Sequence, residues 1–161
     1  MEQAFPFDAV MTDGVPDRSY SAEDLANVFD TIFSGGPLAE GYLKVRPTSD
    51  ATLSVQLGAG SALIRGHHYR NTEPRVFTLE TAPVGLSRID LVVLRLDREN
   101  RTIYPAVLTG KAALSPAVPS LTRNDTVFEM PLGQITVGSG ATRIFSSDIL
   151  DCRTLNGLRA G

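Results

Sequence analysis

The sequence predicts an α+β chain, mainly antiparallel sheet in a sandwich-like or barrel-like arrangement of about eight short strands, with one N-terminal amphipathic helix. Two observations carry this. Only one segment repeats its apolar residues at helical spacing, and every later apolar segment is short and either alternates or is apolar throughout. A helix followed by a run of strands is the α+β pattern, dominated by antiparallel pairing. The organisation expected is an arm and helix over residues 1–37, a β-rich domain over 38–155 and a C-terminal tail over 156–161.

The helix is predicted from Ala22 to Phe33. Ser21 is its N-cap and Asp24 completes a capping-box pattern, with Tyr20 and Leu25 at the positions of a hydrophobic staple. Leu25, Val28, Phe29, Ile32 and Phe33 form one apolar stripe. Such a stripe ordinarily packs on the sheet of its own chain; the competing use is packing around an oligomer axis. Gly35 and Gly36 are expected to end the helix in a left-handed conformation, and Pro37 keeps it from resuming.

After Pro37 the period becomes two. Leu53, Val55 and Leu57 alternate with Thr52, Ser54 and Gln56, a strand with one wet face. A turn at 58–60 leads to a strand over Ala62–Arg65, a bend at Gly66–His67–His68, and a strand marked by Phe77 and Leu79. Arg88–Asp97 is nearly continuous in apolar residues, so it is predicted to be central and covered on both sides. It pairs with Thr102–Leu108 across a loop of about four residues, and Pro105 places that second strand at an edge or at a bulge. Residues 112–121 read as an extended loop. Phe128, Met130 and Leu132 share one face and Ile135 and Val137 the other, with Pro131 and Gly133 at a predicted β-bulge. Ile144–Ile149 is the last predicted strand, followed by a polar tail.

Composition narrows the function classes. Net charge is −3, and the basic residues are scattered, with Lys44 and Lys111 the only lysines, so no nucleic-acid partner is expected. No apolar run reaches the ~20 residues that span a bilayer, and residues 1–9 lack the basic and apolar regions of a signal peptide. Cys152 is the only cysteine, which excludes an intrachain disulfide and a four-thiolate zinc site and suits folding in a reducing cytoplasm.

The search for chemistry ends on structural readings. His67 and His68 are the only histidines, and adjacent strand residues point to opposite faces, so no metal site is expected unless a trimer brings one histidine per copy to an axis. No nucleophile-elbow, dinucleotide or phosphate-loop pattern is present, and Asp13–Asp17 lacks the spacing and terminal Glu of a calcium loop, leaving a solvated turn. Arg88 and Asp90 flank Ile89, and Asp151 and Arg153 flank Cys152; at i and i+2 in a strand each pair lies on one face. A ligand-gripping cluster competes here with ion pairs that fix register or subunit contacts, and the structural reading is preferred. The candidate assembly residues are therefore Arg88, Asp90, Asp151, Arg153, Leu25, Phe29, Ile32 and Phe33. Neither a catalytic residue nor a cofactor is expected.

The order of these pieces resembles a family of phage and prophage structural proteins, chiefly of Gram-positive hosts. Asp13-Gly14, Arg18–Asp24, Phe33–Gly36, Gly58–Ala62, Ile64–Tyr69, Ser87–Asp97, Pro116 to Arg123 and Ile149–Arg153 carry the likeness from about residue 5 to 155. The resemblance implies a baseplate component or a tail-proximal domain of a fibre. Such a protein is a homo-oligomer, a trimer favoured, located in the virion after synthesis in the host cytoplasm. Its partners would be other tail proteins, and a host surface glycan is the alternative ligand if the module is instead a carbohydrate-binding β-sandwich. In many relatives a receptor-binding head follows this domain, whereas this sequence continues only to Gly161, so an adaptor or baseplate role is expected.

Overall fold

A computed structural model describes residue 4 and residues 6–159; the outermost residues of the expected arm and tail (1–3, 5, 160 and 161) lie outside the described residues. The described chain is mainly antiparallel sheet with one α-helix, as the sequence predicts. Strands β1 (Met11–Thr12) and β2 (Val15–Pro16) form a hairpin ahead of α1 (Ala22–Ile32). Then follow β3 (Gly36–Pro37), β4 (Val45–Pro47), β5 (Ser54–Leu57), β6 (Gly60–Ile64), β7 (His67–Asn71) and β8 (Arg75–Thr78). The long strands β9 (Arg88–Asp97), β10 (Thr102–Leu108) and β11 (Val127–Val137) precede β12 (Ile149–Asp151). They assemble as β10-β9-β11-β12, β3-β6-β7, β4-β5-β8 and the separate β1-β2 hairpin.

The central strand is β9. Arg88, Asp90, Val92, Leu94 and Leu96 share its inner face by the two-residue period, and Leu91 and Val93 are buried on the other. On one side β10 pairs with it from Thr102↔Asp97 to Leu108↔Leu91, which places Pro105 in an edge strand, where its missing amide hydrogen disturbs no second neighbour. On the other side β11 pairs in a register that shifts between Pro131 and Gly133. The extra residue, Leu132, is fully buried. This bulge brings Phe128 and Met130, opposite Leu96 and Leu94, onto the same inner face as Ile135 and Val137, opposite Asp90 and Arg88. The phase change in the sequence is thus how an eleven-residue strand keeps one face in the core. Gly133 is required there, since a Cβ would lie 2.7 Å from Val45 Cγ2 of β4.

The core joins this sheet to the smaller ones: Val55 and Leu57 of β5 and Ala62 and Ile64 of β6 are fully buried with Val92, Leu94 and Ile135. The expected wet face of β5 is partly dry, because Ser54 is buried and its hydroxyl lies 3.4 Å from that of Thr78 on β8.

Several expectations are corrected. The helix has the Ser21–Asp24 capping box, but Phe33 is its extended C-cap rather than its last residue, and no left-handed glycine ends it. The chain leaves α1 extended because residues 32–37 are taken up by the C-terminal segment: Ser34 N–H donates to Gly157 O, Asn156 N–H to Pro37 O and Arg159 N–H to Ile32 O. Gly36 has φ 141°, and a Cβ on it would lie 2.0 Å from Thr154 O. Residues 154–159 of the polar C-terminal segment are therefore a docked strap. His67 and His68 lie in β7, not in a bend; the turn is Arg65-Gly66, both at positive φ, the two-residue hairpin geometry. Ile144–Ile149 is not a strand. Ile144 enters the core, and the Asp148 carboxylate accepts from Phe145 N–H, folding Ser146–Asp148 into a 3-10 turn before β12.

The helix also does not bury its stripe on the sheet. Ala26 is its one buried residue, while Leu25, Phe29 and Ile32 are 55, 38 and 45% exposed and Tyr20 is partly exposed. The reason is steric: α1 approaches the β6–β7 turn so closely that a Cβ on Gly66 would sit 1.8 Å from Ala26 O. A small face, not the apolar stripe, is seated against the domain. Gly66→Ala, which adds that atom at φ 77°, is expected to lower stability by more than about 1–2 kcal/mol, the usual cost of left-handed backbone alone. An unchanged urea midpoint would show that the helix is not held this way.

Candidate functional site

The charged residues singled out from the sequence come together as pairs. The Arg88 guanidinium donates from Nε to Asp90 Oδ1 (2.7 Å) and from Nη2 to Oδ2 (3.0 Å), and both side chains are almost fully buried. They occupy the head of the row that continues as Val92, Leu94 and Leu96, so the sheet's inner face changes from apolar to ionic at its end. Their remaining valences go to backbone. Arg88 donates to Glu80 O and Thr81 O, and Asp90 Oδ1 accepts from Gly110 N–H at 2.9 Å. Gly110 admits no side chain, since a Cβ would meet Ile89 O at 2.0 Å. The pair therefore ties β9 to the segment before it and to the loop after β10. The bond to Asp90 raises the already high pKa of Arg88, so the cation is permanent.

A second buried carboxylate, Glu129, was not among the candidates. Its Oε1 accepts from Arg95 Nε at 2.8 Å and its Oε2 from Thr122 N–H at 2.8 Å. Arg95 also donates to the Tyr104 hydroxyl, which is the first cause of its raised pKa, and lies over the Tyr104 ring. Glu129, Arg95 and Tyr104 stand side by side on β11, β9 and β10. Glu129 and Tyr104 lie 34 and 9 residues from Arg95 in sequence, and the registers of β11 and β10 on β9 align them.

Asp151 and Arg153 form the third pair, with Nη2 2.8 Å from Oδ2. Arg153 is buried in its side chain and donates to the carbonyls of Glu40 and Tyr42, so it clamps the end of β12 to the loop before β4; Asp151 is about half exposed. The bond from Arg153 holds the Asp151 carboxyl below its ordinary 3.8. Neighbouring Cys152 is half-buried, and burial pushes its thiol upward.

The apolar candidates lie elsewhere. Leu25, Phe29 and Phe33 line a groove between α1 and β7 with Leu63, His67 and His68, and none of the four charged candidates lines it. The Phe29 and Phe33 rings stack at 6.5 Å, Phe33 is half-buried, and Ile32 projects from the same stripe. His67 carries a buried Nε2 without a hydrogen-bond partner among the described residues. Among those residues no three His, Cys, Asp or Glu side chains gather as a metal would require.

Within the expected arm, the solvated turn read at Asp13–Asp17 is part of a β-hairpin. Asp13 and Gly14, at φ 52° and 78°, make a two-residue turn, and Asp17 closes the hairpin by accepting from Val10 N–H. Asp-Gly between Met11-Thr12 and Val15-Pro16 is a strong local hairpin signal, legible in retrospect. Phe7, Val10, Met11 and Val15 on this arm are 60–65% exposed.

No known family model, no curated protein and no solved structure matches this chain.

Two outcomes test the ionic reading. Breaking the buried pair with Arg88→Met or Asp90→Asn is expected to cost about 3–5 kcal/mol, and the double replacement Arg88→Met with Asp90→Leu much less than the sum. Additive losses in denaturant unfolding would mean that the two side chains act independently. Because the Asp151 pKa is depressed by folding, its contribution is present above the ordinary 3.8 and is lost as pH falls through the lower folded value. Asp151→Asn is therefore expected to flatten the loss of stability below that pH, read as melting temperature against pH; an unaltered acid limb would refute it.

Proposed function

We propose that the protein is a structural subunit of a phage tail tip, at the baseplate or at a fibre attachment, that acts by self-association and docking rather than by catalysis. The observation that carries this reading is how the chain spends its side chains. The acids and cations most able to form a reactive centre, Asp90, Glu129, Arg88 and Arg95, are each bonded to another side chain, and both carboxylates are buried. A general acid or base has to reach a substrate, and these buried carboxylates do not. The apolar residues of the helix and arm, by contrast, face outward, where they serve contact with another surface. The ordered series of motifs that resembles phage tail proteins supports the same conclusion and supplies the setting.

The buried pairs suit a part under load. They tie loops to β9 and β11 at both ends of the main sheet without contributing any exposed reactive group. Rigidity of this kind transmits position from one neighbour to the next.

Immunogold labelling of phage particles from the producing bacterium is expected to decorate the tail tip, and disruption of the gene to leave particles with incomplete tails. Intact, infective particles lacking the protein would defeat the proposal. Binding of the isolated chain to a glycan array, without particle labelling, would favour the carbohydrate-binding alternative.

A further inference from the structure

We infer that the N-terminal arm of one copy docks across the helix groove of a second copy of this chain. This supplies a subunit contact for the tail-tip reading, and it rests on that reading only for the expectation that copies associate.

The arm has no core of its own. Its strands are two residues long, and a two-stranded hairpin is marginal in water even when longer. Four apolar residues, Phe7, Val10, Met11 and Val15, remain at least 60% exposed on it. The same chain carries a second, partly uncovered apolar surface along α1, built from Leu25, Phe29 and Ile32 beside the groove at β7. These two surfaces lie in one chain and do not cover each other, as their exposures show. A contact between unlike patches of identical copies is the heterologous kind, which can close into a ring.

Charge selects the same partner. Residues 6–20 carry Asp8, Asp13 and Asp17 against the single Arg18. Two depressions share lining residues with the groove or with each other and extend it past the helix N-terminus. Together they hold five arginines, Arg65, Arg70, Arg98, Arg101 and Arg123, against three carboxylates, Glu23, Asp97 and Asp125. Of these, Arg65 also reaches Asp30 at 3.3 Å. An acidic, apolar arm therefore meets an arginine-rich rim around an apolar groove.

Sedimentation velocity of the full chain is the test. The unmodified protein is expected to sediment as an oligomer. Val10→Asp with Val15→Asp, or Leu25→Asp, is expected to weaken self-association more than about tenfold, the scale of a contact residue lost from an interface centre, with an unchanged melting temperature of the dissociated chain at high dilution. These side chains are exposed, so the fold does not depend on them. As a second readout, on a Cys152→Ser background, Met11→Cys protein mixed with Phe29→Cys protein is expected to form a disulfide-linked pair of unlike chains. A single-chain species at high micromolar concentration would overturn the inference. So would an oligomer indifferent to the arm substitutions, or cross-linking only within one chain when both cysteines are present. An oligomer that ignores the arm leaves the tail-tip reading intact, and unlabelled tails with a demonstrated arm contact would remove that reading alone.

Discussion

Removing a guanidinium and a carboxylate from water costs several kcal/mol each, and that cost is recovered only where every donor and acceptor finds a partner. The buried Arg88–Asp90 pair meets this condition with two bonds between its members and three to backbone groups. The backbone partners lie at residues 80, 81 and 110, so the chain satisfies the ions only when three separate segments converge at the head of β9. Apolar side chains at the same places would fill the space without demanding that convergence. The pair is better understood as an instruction about position than as a source of stability.

The bulge at Leu132 has a comparable role in β11. An unbroken strand of this length would turn Ile135 and Val137 away from the core that Phe128 and Met130 enter. One extra residue corrects the phase from Gly133 onward, while the register before it sets Glu129 opposite Arg95. The same strand thus serves packing on its inner face and ion pairing on its outer one. The Asp151–Arg153 clamp extends the arrangement to the edge strand and the loop beneath it.

Against this tied-down sheet, α1 is lightly attached. Close approach at Ala26 and Gly66 fixes its distance, Asp30 receives Arg65 and Arg159, and the strap at 154–159 holds its end. This small-residue seat leaves the large residues of the stripe outward. Ala26 alone of this helix is buried, and the core is built mainly from the strands.

Local patterns settled much of this protein in advance. The capping box at Ser21 and Asp24, the apolar run of β9, the four-residue loop to β10 and the bulge near Pro131 are all short-range features, and each is present. Placing Arg88 beside Asp90, and Asp151 beside Arg153, needed only the two-residue period of a strand. The Asp13-Gly14 hairpin was equally local and was simply not recognised. What the tertiary structure alone decided are the matters of long range: the Arg95–Glu129 pair, the strap that ends the helix, and the outward turn of Leu25, Phe29 and Ile32. Periodicity states that a helix has an apolar face, but which way that face turns depends on the backbone it meets, and here that backbone is a glycine forty residues away.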